Sequence, residues 1–351
     1  MTIRAGIAGA GMVAAVHADA IRRVGGSVVG VAASTAERSK AAAQRLNAGR
    51  GYDSAEELAV ADAIDVLHVC TPNALHGPLV RAALAAGKHV VCEKPLSLSG
   101  ADSDELAALA GRSGLVAAVP LVYRYHPMTV EARARVRRGD LGAIRLIHGH
   151  YLQDWLARPE DNNWRVDPAV GGASRAFADI GSGRETFTST AGGPGDAGSE
   201  AAEIAVTTED AVHVLFRTDL GATGTLVVSQ VSPGRKNRLW FEIDGADRSV
   251  SFDGEDPETL LLGGRDRTEI VRRDHLTPEA DRINAVPAGH PWGYRDCFAA
   301  FTADVYAAIA DPASAASGPA AFPAFADAAR TAHITDAVLA SAAHRSWIEV
   351  S

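Results

Sequence analysis

Cysteine is scarce in this sequence. Cys70, Cys92 and Cys297 are its three cysteines among 351 residues, and no two of them form a Cys-x-x-Cys pair. Disulfide frameworks and structural zinc sites need cysteines at short, regular spacing. We therefore expect three buried apolar thiols in a protein of the reducing cytoplasm.

Metal-ligand patterns and long apolar runs are missing as well. The 12 histidines include no His-Glu-x-x-His or similar spacing, so the sequence predicts no metal site. Arg4 precedes an apolar run like the start of a signal peptide, but Gly6, Gly9 and Gly11 interrupt that run. Because no stretch approaches about 18 uncharged apolar residues, we expect neither secretion nor a membrane partner.

Positive charge is in the minority. Lys and Arg number 34 against 43 Asp and Glu, which gives a formal net charge of −9. Nucleic-acid binding requires a surface that neutralises phosphates, so we expect no nucleic-acid partner and favour a small-molecule ligand. The chain length and a hydrophobic content of 47% suit two domains, each with its own core.

A dinucleotide-binding pattern lies near the start of the chain. The apolar run from Ile3 to Ala8 predicts a buried strand, and an amphipathic helix pattern follows it. Between them, residues 9–14 read Gly-Ala-Gly-Met-Val-Ala, where glycines let the backbone approach a pyrophosphate at the helix N-terminus. A glycine-rich turn without a ligand is the alternative, but the flanking strand and helix favour nucleotide binding. The candidate cofactor residues here are Gly9, Gly11, Met12 and Val13.

The second predicted strand, Val28 to Ala32, does not end in the acidic residue that selects NAD. An Asp or Glu there would bind both ribose hydroxyls, but the chain continues Ala-Ser-Thr-Ala-Glu-Arg at residues 33–38. Ser34, Thr35 and Arg38 could instead hold the 2′-phosphate of NADP. Alternatively, Ser34 only caps the helix that follows. Both can be true together, so the pattern favours NADP over NAD without excluding either.

Two further strand ends carry polar residues. A strand from Ala63 to Cys70 precedes Thr-Pro-Asn-Ala-Leu-His, and a strand from Lys88 to Cys92 runs into Glu-Lys-Pro at residues 93–95. In doubly wound sheets, such strand ends contact ligands. A further strand, predicted from Val116 to Val122, would complete the sheet of this domain. The Lys94 ammonium could donate to a substrate oxygen, although a surface lysine before a turn proline is the alternative. The candidate cofactor residues at these ends are Thr71, Pro72, Asn73, His76, Glu93 and Lys94.

From Leu141 onward the pattern changes to long alternating strands. They are predicted at Ile144–Leu152, Ala211–Thr218, Gly224–Ser232, Leu239–Asp244 and Ser249–Asp253, which argues for an antiparallel meander. Aromatic and polar residues near the first of these strands could line a ligand pocket, but a tryptophan-capped core is the competing interpretation. At Tyr125, structural packing at the domain junction is the alternative to a ligand contact. The candidate substrate residues here are Tyr125, Gln153, Trp155, Trp164 and Arg165.

The segment from Gly171 to Gly183 carries a family resemblance. It reads Gly-Gly-Ala-Ser-Arg-Ala-Phe-Ala-Asp-Ile-Gly-Ser-Gly and resembles the turn and Asp-Ile-Gly-x-His motif of the Gfo/Idh/MocA family of sugar and polyol dehydrogenases. Residues 93–95 resemble the Glu-Lys-Pro motif of the same family, and the likeness covers nearly the whole chain. Asp179 matches the catalytic aspartate of the family, whereas Gly183 stands in the place of its catalytic histidine.

The resemblance implies both fold and activity. Residues 1–122 would form a Rossmann-type α/β domain with a doubly wound parallel sheet. Residues 123–351 would form an α+β substrate and oligomerisation domain with an open, mostly antiparallel sheet, the final helices packing back on the first domain. The implied protein is a cytoplasmic homo-oligomer that moves hydride between NAD(P) and a secondary alcohol of a sugar, glycoside or cyclitol. Lys94 and Asp179 would then be the catalytic residues that contact the substrate. The resemblance also implies that His290, in a Gly-His-Pro turn, lies near the substrate; a polar residue just ahead of a helix is the alternative.

The residues after Ser182 depart from the family pattern. Residues 183–195 have loop composition, and strand character resumes only from Ile204 to Asp210. This predicts an internal deletion that removes the catalytic histidine, a helix and a strand, and hence impaired activity. A non-catalytic nucleotide-binding protein or an inactive truncated copy is the alternative. Another is an enzyme that recruits His290 or a histidine of a neighbouring subunit.

Overall fold

The computed structural model describes residues 2–158, 161, 164, 167–171, 186–189, 202–205, 208–311 and 321–350. These residues belong to two compact units. The first contains residues 1–125, 293–336 and 350–351, and the second contains residues 126–292 and 337–349. Within the described ranges, no helix is long and apolar enough to cross a membrane.

The first unit contains a six-stranded parallel sheet. Its strands are β1 (Arg4–Ala8), β2 (Ser27–Ala32), β3 (Arg50–Tyr52), β4 (Val66–Val69), β5 (His89–Cys92) and β6 (Ala117–Ala118). They lie in the order β3-β2-β1-β4-β5-β6, and every pair is parallel. This is the strand order of a Rossmann domain, so the predicted doubly wound sheet is confirmed.

Five helices connect these strands, and a short 3₁₀ helix, Asn73–Leu75, precedes one of them. The core between helices and sheet contains Leu67, Val90 and Leu106, together with Phe325 from the C-terminal helix. Side chains cap three of the connecting helices by accepting a backbone N–H in the first turn. The five helices are α1 (Met12–Arg23), α2 (Ala36–Arg45), α3 (Ala55–Ala59), α4 (His76–Ala85) and α5 (Gly100–Ser113).

Strand β6 is shorter than the sequence pattern indicates. The predicted strand from Val116 to Val122 pairs with β5 only at Ala117 and Ala118. Pro120 has no N–H with which to continue a ladder, and a 3₁₀ helix begins at Val122. The N–H of Val119 donates instead to the carbonyl of Pro323, at 2.9 Å.

The second unit is built on a seven-stranded sheet. Its strands are β7 (Ile144–Leu152), β10 (Ala211–Arg217), β11 (Thr223–Ser229), β12 (Arg238–Gly245), β13 (Ser249–Asp253), β14 (Thr259–Gly263) and β15 (Thr268–Arg272). They lie in the order β10-β11-β7-β12-β13-β14-β15, and only the β11–β7 pair is parallel. This confirms the predicted, mostly antiparallel sheet.

One face of this sheet packs on a helix and the other carries polar and exposed apolar side chains. Met128 and Ala132 of α6 (Pro127–Arg138) pack against Val250 and Phe252. On the alternate strand positions, Leu215 and Ile270 are among the exposed large apolar side chains. The remaining helices are α7 (Pro168–Gly171), α8 (Pro278–Asp281), α9 (Tyr294–Ala310) and α10 (Phe325–His344).

A separate two-stranded ladder lies in the region where the sequence predicts a deletion. Strand β8 (Thr186–Ser189) pairs antiparallel with β9 (Ala202–Ala205). The loop prediction was therefore wrong for residues 186–189, whose Thr-Phe-Thr sequence has strand propensity. The other residues between 183 and 201 lie outside the described residues.

Candidate cofactor and active site

The turn after β1 uses its two glycines differently. Gly9 has φ +112°, and a Cβ there would lie 2.6 Å from the Cys70 carbonyl carbon and 3.1 Å from the Thr71 nitrogen. Gly11 is extended, and a Cβ on it would meet no atom of the described residues within 4 Å. Gly9 is therefore required by the packing of β1 against the end of β4, whereas Gly11 leaves open space beside the turn.

The N-terminus of α1 is available to an anion. Gly11 is its N-cap, and no side chain of the described residues accepts a hydrogen bond from its first N–H groups. Met12, at the first helical position, is 76% exposed, while Val13 is half-buried. Arg45, which the sequence analysis missed, donates from α2 to the carbonyl of Ala10 and so places a cation beside the turn. Free N–H groups and a nearby guanidinium suit a phosphate.

The residues after β2 bring a guanidinium to a hydroxyl. Arg38 Nη1 donates to Ser34 Oγ at 3.1 Å, and both side chains are exposed. The N-cap of α2 is Thr35, whose hydroxyl accepts from the Arg38 N–H at 3.2 Å. The alternative that Ser34 caps this helix was wrong, since Thr35 is one residue nearer to it. Hydrogen bonds from its own backbone N–H and from Thr35 lower the pKa of Glu37, so a carboxylate also lies here.

His76 joins the ends of β4 and β5. Its buried ring lies with Nδ1 2.7 Å from the Pro95 carbonyl oxygen and Nε2 3.0 Å from the Thr71 carbonyl oxygen. Burial lowers the pKa of His76. The Thr71 hydroxyl is buried and has no hydrogen-bond partner among the described residues. Pro72 is half-buried and Asn73 is buried at the start of the 3₁₀ helix.

Glu93 and Lys94 follow β5 directly. Glu93 is 8% exposed; its Oε1 lies 3.0 Å from Nε2 of His17, and its Oε2 accepts the Lys94 N–H at 3.1 Å. Burial alone would raise the pKa of Glu93, but the hydrogen bond and charge of His17 and the charge of Lys94 lower it overall. Lys94 itself is exposed. The segment thus presents an exposed ammonium on a backbone that a buried carboxylate holds.

A buried hydrogen-bond chain extends inward from Glu93. The Nδ1 atoms of His17 and His68 are 2.8 Å apart, and Nε2 of His68 lies 3.0 Å from the Tyr306 hydroxyl oxygen. Burial lowers the pKa of His68 and raises that of Tyr306. Sequence reasoning missed this chain, although a histidine inside an apolar strand and another on the apolar face of α1 are detectable signals.

The cysteines are buried, as expected. Cys70, Cys92 and Cys297 all lie in the interior, and none of them forms a disulfide within the described residues. Burial raises the pKa of Cys70 and Cys92 well above the usual value, and the Glu93 carboxylate adds to this. Both thiols are thereby kept protonated beside the candidate site.

Tyr125 belongs to the first unit and is held by it. Its hydroxyl donates to Asp304 at 3.0 Å and lies 3.2 Å from the Ala321 carbonyl oxygen, while its ring meets the edge of Phe301. Arg124 forms an ion pair with Asp327 at 2.8 Å. These contacts support the packing interpretation of the junction.

The candidate substrate residues of the second unit lie at the end of β7. The Asn237 side-chain oxygen accepts hydrogen bonds from Tyr151 (2.5 Å) and from Gln153 (3.0 Å). Trp155 packs against Leu156 and Val231, as the core interpretation expects. Trp164 is 37% exposed. Arg165, Asp179, Ser182 and Gly183 lie outside the described residues.

His290 is presented by a loop that Arg273 holds. The Arg273 guanidinium is fully buried; it pairs with Glu258 at 2.9 Å and donates to the carbonyl oxygens of Val286 (2.7 Å) and His290. Glu258 also accepts the Trp292 N–H at 3.0 Å. The His290 side chain is exposed at the end of this fixed loop.

One group of metal-type ligands lies on the polar face of the second sheet. The ligand atoms of His148, Glu242 and Asp244 all lie within 4.8 Å of one another, and all three residues are half-buried. Burial and the Asp244 charge raise the pKa of Glu242. Sequence spacing could not reveal this group, because strand pairing between β7 and β12 brings it together. Such clusters also occur without a metal ion.

Comparisons with known proteins agree with this architecture. Residues 3–120 match the oxidoreductase family model GFO_IDH_MocA, NAD-binding Rossmann fold, and residues 129–251 match the GFO/IDH/MocA C-terminal domain. Levoglucosan dehydrogenase of Pseudarthrobacter phenanthrenivorans is 29% identical over 327 residues, which cover 82% of this chain and 80% of that protein. D-xylose 1-dehydrogenase (NADP(+)) 2 of Haloferax volcanii is 32% identical over 138 residues, 39% of this chain and 41% of that protein.

A solved structure resembles the whole chain. It is a levoglucosan dehydrogenase in complex with NADH and L-sorbose, with a TM-score of 0.87, 25% identity and 100% coverage of both chains. The two family matches and the Rossmann strand order agree with this structural match, and together they establish the family resemblance seen in the sequence. The chain belongs to the Gfo/Idh/MocA family of NAD-binding oxidoreductases.

Proposed function

We propose that this protein moves a hydride between a nicotinamide dinucleotide and a secondary alcohol or ketone of a sugar, glycoside or cyclitol. One observation carries the proposal: the open N-terminus of α1 and the Glu93–Lys94 pair follow β1 and β5, whose carboxyl ends share one edge of the sheet with that of β4. Dinucleotides bind at such an edge in doubly wound folds. Sugar dehydrogenases among the similar proteins support this substrate class.

Lys94 is the residue that we assign to the reacting oxygen. When bound, the nicotinamide supplies the hydride acceptor; the Lys94 ammonium would donate to the substrate oxygen as negative charge develops on it. Asp179 would contact the substrate as the second catalytic residue. Because Gly183 stands in the place of the family's catalytic histidine, we infer that the hydroxyl proton leaves without that general base, whose loss costs about 10²–10⁴ in rate. We therefore expect slow turnover.

The cofactor preference that we propose is NADP over NAD. Arg38 and Ser34 lie together after β2, where a 2′-phosphate would bind, and Arg45 adds a second cation beside the turn. Glu37 counts against this, since a carboxylate there repels a phosphate. A relative named for NADP and a solved relative in complex with NADH indicate that the family uses both forms.

We further propose that the protein is a cytoplasmic homo-oligomer whose subunits pair through the open sheet of the second unit. Leu215, Leu261 and Ile270 project exposed apolar side chains from the open face of the second sheet, which suits pairing of two subunits. Three buried cysteines without a disulfide among the described residues suit a reducing cytoplasm. Size-exclusion chromatography with light scattering tests the oligomer, and a monomer at micromolar concentration would contradict it.

Cofactor titration followed by a substrate panel tests the function. Fluorescence titration with NADH and NADPH measures binding, and absorbance at the nicotinamide band then measures turnover of levoglucosan, aldoses and inositols. Turnover abolished by Lys94→Ala supports the proposed enzyme. Tight cofactor binding without turnover of any substrate favours the alternative, a non-catalytic nucleotide-binding protein. Absence of binding would contradict both.

A further inference from the structure

Four polar side chains form a continuous buried row in the first unit. Tyr306 of α9, His68 of β4, His17 of α1 and Glu93 after β5 are 5%, 0%, 1% and 8% exposed. The three links between them measure 3.0, 2.8 and 3.0 Å. The edge of Phe298 closes the row beside His17, with 5.0 Å between ring centroids. Burying four polar groups is costly unless each finds a partner, and here each does.

The partners of the row restrict where its protons lie. A carboxylate only accepts, so His17 donates from Nε2 to Glu93. Only one of the two facing Nδ1 atoms carries the shared proton. If His68 carries it, its Nε2 accepts from the Tyr306 hydroxyl, and every hydrogen bond points toward Glu93. If His17 carries it, His68 donates from Nε2 to Tyr306 instead, and the row holds one more proton with no hydrogen bond lost.

The charges around the row act mainly at its Glu93 end. Lys94 lowers the pKa of Glu93. The Glu93 charge in turn favours the protonated forms of His76, Cys70 and Cys92, so it contributes upward to the pKa of each. At the other end, the Asp65 charge adds to burial in raising the pKa of Tyr306. Of these neighbours, Lys94 is the one that donates its backbone N–H to the second carboxylate oxygen of Glu93, at 3.1 Å.

We propose that Tyr306, His68 and His17 are positioning residues that keep Glu93 ionised and fixed in orientation, and that Glu93 thereby fixes the backbone from which Lys94 extends. The two carboxylate oxygens have different partners, since Oε1 binds the row and Oε2 binds the Lys94 N–H. Without the row, the buried Glu93 carboxylate would take up a proton or rotate away from the Lys94 N–H. The backbone position of Lys94 would then no longer be fixed. The kinetic consequence rests on the proposed function, whereas the coupling along the row does not.

Nuclear magnetic resonance of the full chain with ¹⁵N-labelled histidine tests the coupling without any substrate. The His17 and His68 ring signals are assigned with His17→Gln and His68→Gln. Tyr306→Phe removes one hydroxyl at the far end of the row; we expect it to shift the ring nitrogens of both histidines. Tyr52→Phe is the matched control, a buried tyrosine of β3 outside the row, and should shift neither. An unchanged His17 signal in Tyr306→Phe would overturn the proposal.

Kinetics of the same variants test the consequence for Lys94. His17→Ala should lower kcat about tenfold or more, since a charge-assisted hydrogen bond is lost, and leave cofactor affinity unchanged. His17→Gln keeps a donor for Glu93 and should restore most of kcat, whereas a merely structural role would give no such rescue. A kcat in His17→Ala equal to that of the wild type refutes the positioning role. If the wild type has no turnover, the proposed function fails. The nuclear magnetic resonance result then determines by itself whether Tyr306, His68 and His17 are coupled.

Discussion

A valine at Gly11 should abolish cofactor binding and leave the fold intact. A Cβ at this position meets no atom of the described residues within 4 Å, so the side chain enters the space beside the open N-terminus of α1. The cost to the protein is a poorer helix N-cap, about 1 kcal/mol of unfolding free energy. The cost to the complex is larger, because a pyrophosphate could no longer approach the first N–H groups of the helix.

The expected loss of affinity follows from the hydrogen bonds concerned. Two charge-assisted bonds at about 1.5–3 kcal/mol each correspond to a Kd raised by about 10²–10⁴-fold. Fluorescence titration with NADH and NADPH measures this, and thermal unfolding should shift Tm by only about 2–4 °C. Gly111→Val is the matched control, because a Cβ at that position of α5 also meets no described atom within 4 Å. An unchanged Kd in Gly11→Val would place the nucleotide elsewhere.

Three further variants test two residues of the site and the buried N-cap of α6, His126. Lys94→Ala should abolish measurable turnover with cofactor Kd retained; full activity would reduce Lys94 to a surface residue. Arg38→Ala should weaken NADPH about tenfold without affecting NADH in parallel titrations, and equal effects on both would refute the 2′-phosphate assignment. Burial lowers the pKa of His126 to about 4, so the unfolding free energy should fall by about 3 kcal/mol as the pH drops from 6.5 to 4. His126→Asn keeps a capping oxygen for α6 and should flatten that loss in urea titrations; an identical pH dependence would contradict it.

Local patterns of the first unit could be predicted from the sequence. The β1–α1 turn and the Glu93–Lys94 segment depend on residues that are neighbours in the chain, and the alternation of strands with helices indicates a doubly wound sheet. Boundaries were less accurate, since Pro120 ends β6 early and Thr35, not Ser34, caps α2. Each of these depends on one hydrogen bond, which composition does not reveal.

Contacts between distant residues could not be predicted. His17, His68 and Tyr306 meet only after three elements have packed, and sequence separations of 51 and 238 leave no spacing to recognise. Arg273 directly follows β15, and nothing in the sequence around it indicates that its side chain is fully buried. His148 and Glu242 likewise become neighbours only through strand register.

The buried Arg273 determines how the segment before α9 can move. An arginine does not lose its charge, so its guanidinium cannot be left in the interior without the oxygens of Asn284, Val286 and His290 around it. Residues 284–290 therefore cannot detach one at a time, although they form neither a helix nor a strand. They open together with the unit or not at all, so the amides of Asn284 and His290, which donate to Asp281 and Pro287, should exchange as slowly as amides of the sheet. A segment that looks like a surface loop thus has the kinetics of a core element, and His290 keeps one fixed location on the protein surface.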